Sequence, residues 1–413
     1  MSLSQSSFIL KNDGTLWGCG ANGYGQLGSG GGSCTTFTKV IDTVKLVYCG
    51  YDHTIILKND GTLWGCGYNN YGELGVWDTT RRSTFTKFIA NADDIKSVYC
   101  GIYNTCILKN DGTFWVCGYN GEGQLGLEGG PNQTTLTQVI INADNIRSAC
   151  CGQYYTIMLK NDGTLWGCGA NGYGQLGLED KSNRNIFTIA NSAPGNIKLV
   201  DCGEYHTSIL TNDGTLWGCG YNGYGQLGLG DTDNRTIFTQ ITNDIKSVYC
   251  GGNHTIILKN DGTLWGCGNN SSGQLGLGDT TNRTIFTKIT TNASNVKSVY
   301  CGFDHTLILK DDGTLWGCGN NGSSQLGLGD IDNRTTFTKI TTNTDNIKSF
   351  ANDHSNIPNI IKIYDLKIGY VETLDTNNFR NIPVDDFEKI KVLCVNQNNT
   401  HLNCLISFDK KQT

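Results

Sequence analysis

The chain has 413 residues, 38% of them hydrophobic and 16% charged, with a net charge of −6 and a pI near 5.5. That is ample apolar material for a core. The acidic balance argues against a nucleic-acid surface, which is ordinarily basic, and no run of about 20 apolar residues offers a helix to span a bilayer.

The first element is Ser6-Ser7-Phe8-Ile9-Leu10, which reads as a strand. Asn12-Asp13-Gly14 joins it to Thr15-Leu16-Trp17-Gly18-Cys19, a strong hairpin signal because glycine supplies the positive φ. The next stretch, WGCGANGYGQLG from Trp17 to Gly28, contains G-x-G-x-x-G, the glycine pattern of a dinucleotide-binding turn. That reading requires a helix to follow. The glycines at 25, 28 and 30–32 oppose one, since glycine is among the poorest helix formers. The pattern also recurs at 167–172, 218–223 and 317–322. One cofactor needs one fingerprint, so a recurring phrase signals architecture, and no cofactor is expected.

The repeat governs the rest of the reading. The turn aspartate falls at 13, 60, 111, 162, 213, 261 and 312, with steps of 47, 51, 51, 51, 48 and 51. Seven units therefore cover residues 1–350. Each has four strand-like pieces, written in consensus as Ile-Lys-Ser-Val-Tyr-Cys, His-Thr-Ile-Ile-Leu-Lys, Thr-Leu-Trp-Gly-Cys and Phe-Thr-Lys-Ile. Nothing in the unit has helical periodicity. Four short antiparallel strands per 40–50 residues predict an all-β, seven-bladed β-propeller. A linear β-solenoid is the alternative, which the tight Asn-Asp-Gly turns oppose. The first unit lacks its initial strand, and Ile347-Lys348-Ser349-Phe350 supplies a spare copy after the last. This copy is expected to pair inside the first blade and close the ring, disposing of exposed edges.

The phrases C-G-x-x-H-T, N-D-G-T-L-W and N-G-Y-G-Q-L-G resemble the repeats of the regulator of chromosome condensation (RCC1-like) family, whose members are seven-bladed propellers. The likeness covers about five-sixths of the chain. It implies the fold strongly and the function weakly, because the family spans exchange factors, a plant light sensor, β-lactamase inhibitors and adaptor modules. In its founding member a β-wedge inserted in the propeller works on a small GTPase. The even spacing here leaves no room for such an insertion, and no basic N-terminal tail precedes the first unit.

Most of the 18 cysteines are repeat positions: seven in W-x-C-G and six before the C-G glycine, leaving Cys34, Cys106, Cys150, Cys394 and Cys404. They read as small buried hydrophobes. So many unpaired thiols suit a reducing, cytoplasmic setting. No C-x-x-C pair suggests a metal. Histidines 53, 206, 254 and 305 recur round the ring, with Asn104 and Tyr155 in their place in two units, and read as structural ties. The tryptophans 17, 64, 115, 166, 217, 265 and 316 read as packing between blades. Arg82, Arg184, Arg235, Arg283 and Arg334 each follow an acid in the same loop and suggest stiffening ion pairs. Asp231-Thr232-Asp233-Asn234 faintly resembles a calcium loop without its later glycine and glutamate. No catalytic acid–base pair stands out, and the chain is read as non-enzymatic.

Function is therefore expected on a surface. The two-residue turn after C-G and the long glycine loop emerge at one end of the strands. That end carries Tyr24, Tyr51, Tyr68, Tyr71, Tyr103, Tyr119, Tyr173, Tyr221 and Tyr224, while units six and seven are polar. Trp77 is the one tryptophan off the repeat. Tyrosine and tryptophan dominate binding hot spots. A protein partner docking on this aromatic arc is the expectation, with packing of the tyrosines on their own glycine loops as the plain alternative. Guanine-nucleotide exchange on a small GTPase is the second functional reading. Neither nucleic acid nor membrane is an expected partner.

Residues 351–413 depart from the repeat and are expected to form a small β-rich extension. Ile360–Tyr364 and Lys367–Val371 look like strands, Asp385–Lys389 like a short helix. A hairpin of Lys391–Asn396 with His401–Phe408 would set Cys394 opposite Cys404.

Overall fold

The computed structural model describes residues 4–89 and 94–351 in full, and the backbone of the strands at 371–375, 378–382, 387–396 and 402–410. It divides into two compact units, Met1–Ile357 and Pro358–Thr413.

The first unit is a seven-bladed propeller in which every blade is a four-stranded antiparallel sheet. The second blade shows the plan. Val44–Cys49 is innermost, followed outward by His53–Lys58, Leu63–Gly67 and Arg82–Ile89. In the second strand every residue from His53 to Leu57 is buried, because blades cover both faces of the sheet. This explains why the strand reads as a continuous apolar run rather than an alternating one.

The Asn-Asp-Gly turns are built by their own side chains. Asp13 accepts hydrogen bonds from both the main chain (2.9 Å) and the hydroxyl (2.7 Å) of Thr15, and that hydroxyl accepts from Trp17 Nε1 at 2.8 Å. Lys11 then covers the indole at 4.3 Å, a cation–π contact worth about 0.5–1 kcal/mol where exposed. The tryptophans pack between blades, as expected. Trp166 of the fourth blade lies against a cluster containing Cys106 and Phe114 of the third, and Trp316 of the seventh against Ile256 and Leu258 of the sixth.

The ring closes where the sequence places the closure. Ile347–Phe350 joins the sheet of Ser6–Lys11, Leu16–Gly20 and Cys34–Ile41 as its innermost strand. Phe350 pairs with Ile9 and Ser349 with Leu10. Lys11 reaches back to Asp345 at 2.8 Å. The Phe350 ring is 2% exposed and lies 5.8 Å from Tyr300 of the seventh blade.

Fourteen of the propeller cysteines are free thiols, all but Cys34 buried. One expectation is corrected here. Cys150 and Cys202, on the inner strands of neighbouring blades, form a disulfide. Strand register across a blade junction joins residues 52 apart, and nothing local in the sequence signals it.

In the second unit two antiparallel hairpins are described, Val371–Asp375 with Asn378–Ile382, and Phe387–Asn396 with Leu402–Lys410. Cys394 does stand opposite Cys404. Of the helix expected at 385–389, the described part, Phe387–Lys389, is instead the start of the third of these strands, because it pairs with Asp409 and Lys410 across the hairpin. Ile360–Tyr364, most of Lys367–Val371, Asp385, Asp386 and His401 lie outside the described residues.

Phe350→Ala removes the largest apolar contact of the closing strand. It is expected to lower unfolding free energy by about 3–5 kcal/mol, read as the shift in a denaturant midpoint. An unchanged midpoint would show that the ring does not depend on this strand.

Candidate functional site

The long glycine loop is shaped before it can present anything. In the first blade Asn22 Oδ1 accepts from Leu27 N at 2.9 Å, and Gln26 Oε1 accepts from Tyr24 N at 3.0 Å. The folded loop points the main-chain carbonyl of Gln26 into the next blade, where Thr54 Oγ1 donates to it at 2.8 Å and Cys66 Sγ at 3.4 Å. The same pair of contacts recurs at all seven junctions, ending with Ser7 and Cys19 on the carbonyl of Gln325. The loop is therefore first an inter-blade clamp.

The histidines belong to the same clamp. His53 Nε2 lies 3.0 Å from Thr105 Oγ1 of the following blade, and His206, His254 and His305 make equivalent contacts. Each hydroxyl already gives its proton to a carbonyl, so the imidazole must be the donor, protonated at Nε2. Burial keeps these rings neutral, pushing His53 down to about 4. The ring lies flat over the C-G glycine, where a Cβ on Gly50 would collide with His53. This close approach is what that glycine serves. Tyr155 replaces the histidine by donating to the His206 carbonyl oxygen at 2.6 Å.

The two-residue turns after C-G meet around the axis. Gln153 N donates to Glu204 O, Glu204 N to Gly252 O, and Gly252 N to Phe303 O at 2.9–3.1 Å. On this ring stand Asp52, Glu204 and Asp304, whose carboxyls burial raises, Asp52 and Glu204 to about 7.

Around it the tyrosines gather into two groups. Tyr24, Tyr68, Tyr71, Tyr103, Tyr119 and Tyr154 form one chain of ring contacts, with centroids 4.9–6.4 Å apart. Tyr173, Tyr205, Tyr221 and Tyr224 form another. Tyr51 stands apart from both, edge-on to Phe303. Arg81 stacks its guanidinium over Tyr24 at 4.5 Å and Tyr68 at 5.2 Å. The plain alternative holds for Tyr119 and Tyr221, which lie against their own loop glycines, Gly121 and Gly223. Tyr24, Tyr173 and Tyr224 are each 38% exposed.

Trp77 stands off these groups: among the described residues no ring contact joins it to a tyrosine. It is 80% exposed, with φ of 74°. Its position is that of Gly30, Gly230, Gly278 and Gly329, and of Glu128 and Glu179, all of positive φ, and its N–H is held by Thr134 O of the next blade at 3.0 Å. A bulky side chain in this region is a strained exception.

Sequence reasoning missed Tyr154, Tyr205, Glu73 and Arg81. Tyr154 and Tyr205 share the repeat position of Tyr103, a signal that was available. Glu73 is the one acid where six units have glutamine. It is wholly buried; Oε2 accepts from Tyr71 N at 3.0 Å, while Oε1 has no partner. The arginine loops behave as read. Arg235 pairs with Asp231 at 2.6 Å, and Asn222 shares that carboxylate, so the calcium-like stretch is a braced turn. Such pairs are worth at most about 1 kcal/mol each.

Burial raises the Glu73 carboxyl to about 7. The folded chain thus holds this proton more tightly than the unfolded chain, and stability is lost as pH rises from 4.5 through 7. Glu73→Gln, which restores the repeat, is expected to stabilise the protein at pH 8 by about 1–3 kcal/mol, with the gain fading by pH 5. Denaturant titrations at both pH values measure it.

The RCC1-like domain family model matches residues 3–242, and RCC1 repeat models match 245–274, 296–325 and 261–309. Human "Probable E3 ubiquitin-protein ligase HERC6" is 30% identical over 55% of this chain and 24% of its own length. The dog X-linked retinitis pigmentosa GTPase regulator is 31% identical over 38% of this chain and 16% of its own length. This chain thus spans less than a quarter of those relatives. Among solved structures, Prp20p of Saccharomyces cerevisiae is similar with a TM-score of 0.72, at 21% identity over 82% of this chain and 88% of that one. Human WBSCR16 follows at 0.67, with 20% identity over 81% and 93%. By its repeats, its closed seven-bladed ring and these matches, the chain belongs to the RCC1-like family.

Proposed function

We propose that this protein is a non-enzymatic interaction scaffold that binds a protein partner through the tyrosine-bearing face of the propeller. The observation that carries the reading is Trp77. The chain places its bulkiest side chain at a positive-φ position that four units fill with glycine and two with glutamate, at a backbone cost of about 1 kcal/mol, and leaves it 80% exposed. Nothing in the blade gains from this, whereas a docked partner would. The neighbouring tyrosine chain from Tyr24 to Tyr154 adds apolar area with few rotamers to freeze. Its charge and composition favour a protein over nucleic acid or a membrane.

Guanine-nucleotide exchange on a small GTPase is the second reading. It is supported by the likeness to Prp20p, a protein described with binding properties to Gsp1p and histones. The uniform 47–51-residue spacing of the repeats weighs against it, since no wedge is inserted.

The two readings separate experimentally. Full-length protein is used as bait, and each captured partner is then titrated against wild type, a Trp77→Ala/Tyr71→Ala variant and an Asp261→Asn control on the opposite face. The double variant is expected to weaken binding at least about 30-fold, in keeping with hot-spot residues, and the control to leave it unchanged. Equal binding by all three sinks this docking site. Accelerated release of labelled GDP from a captured GTPase would establish the second reading.

A further inference from the structure

Two buried propeller cysteines stand where the repeat has other residues. Cys106 takes the place of Ile55, Ile157 and Ile256, and Cys150 that of Tyr48, Tyr99, Tyr249 and Tyr300. Each faces a cysteine of the following blade. Cys150, in the fourth blade, is bonded to Cys202 in the fifth. Cys106, in the third, has its sulfur 3.7 Å from that of Cys151 in the fourth, whose S–H donates to it. The W-x-C-G cysteines behave differently, each donating to a loop carbonyl at 3.3–3.5 Å.

We propose that Cys106 and Cys151 are an oxidation site at which a second inter-blade disulfide forms, making blades three, four and five one covalently linked sector. The setting favours this chemistry. Asn104, standing where four units have histidine, directs Nδ2 at both sulfurs, 3.5 Å from Cys106 and 3.9 Å from Cys151. The contact between the two thiols lowers the pKa of Cys151 and raises that of Cys106, which makes Cys151 the first to ionise, and the thiolate is the nucleophile in thiol–disulfide exchange.

The oxidant is a small-molecule disulfide such as oxidised glutathione. The Cys151 thiolate attacks one of its sulfurs, breaking the S–S bond and releasing one small thiolate. The Cys106 thiolate then attacks Cys151 Sγ of the mixed disulfide, forming the Cys106–Cys151 bond and releasing the second. Two electrons pass to the oxidant, and the two cysteine protons end on the two released thiols. Both sulfurs are buried, so exchange proceeds when the junction between blades three and four opens. The link would join positions three residues along the chain from Tyr103 and Tyr154, whose rings stack at 5.8 Å, and would thereby restrain the spacing of that part of the docking face.

Full-length protein is equilibrated with oxidised glutathione without denaturant, quenched in acid, unfolded, alkylated and digested with trypsin. The expected product joins peptide 97–109 to peptide 148–160, with fragmentation placing the bond between Cys106 and Cys151. The thermal midpoint is expected to rise by about 5 °C over the reduced protein, and Cys106→Ser to abolish that part of the rise. Recovery of both cysteines alkylated, whatever the state of Cys150 and Cys202, overturns the proposal. So does a link that appears only when denaturant is present during oxidation.

Discussion

One main-chain carbonyl per blade holds this ring together. It belongs to the glutamine of the glycine loop, or to Glu73 in the second blade, and accepts from a hydroxyl and a thiol of the next blade at all seven junctions. A carbonyl can be aimed across a junction only if its own loop is rigid. The asparagine and glutamine side chains supply that rigidity by folding the loop on itself, and the glycines let neighbouring backbone approach. A Cβ on Gly25 would meet Ser83 Cα of the following blade. The hydrogen bonds at each junction are individually modest, about 1 kcal/mol net. Their importance is that they are buried, so losing one partner strands the others without water.

This constraint explains which features were legible in the sequence. The propeller, its blade count and its closure follow from a phrase that must be rewritten seven times, because seven junctions demand the same chemistry. His53 and Gly50 could be read as structural for the same reason. What could not be read are consequences of register between blades. Cys150 meets Cys202 and Cys106 meets Cys151 across about 50 residues of chain, with no local signal. The left-handed backbone at Trp77 was equally hidden, since its residue type conceals a conformation that Gly230 announces openly. At Phe387–Lys389 a short amphipathic pattern suited a helix as well as a strand, and pairing with Lys410 and Asp409 decided it.

In a repeat protein the positions that do not recur are those the scaffold does not dictate. A residue demanded by the clamp appears in every blade and says nothing about function. In the candidate face the tyrosines lie between these extremes. Tyr119 and Tyr221 cover their own glycines and serve the loop. Tyr71 and Tyr103 instead face one another across a blade junction at 5.7 Å, an arrangement the clamp does not require.

Several departures from the repeat fall on three consecutive blades. Glu73, Trp77 and Arg81 belong to the second blade, Asn104 and Cys106 to the third, Cys150 and Tyr155 to the fourth. Several carry a cost in stability: a buried carboxylate with an unmet oxygen, a tryptophan in a glycine conformation, an asparagine whose Oδ1 has no partner. At Glu73 the consensus glutamine would remove the cost of a buried carboxyl. Comparable costs occur elsewhere in the ring, at Asp201, a buried carboxyl of the fifth blade, and at Ser324, which has positive φ where the other units have glycine. What distinguishes Trp77 is that its side chain, 80% exposed, is available to a partner, whereas Glu73, Asp201 and Ser324 are buried in the scaffold.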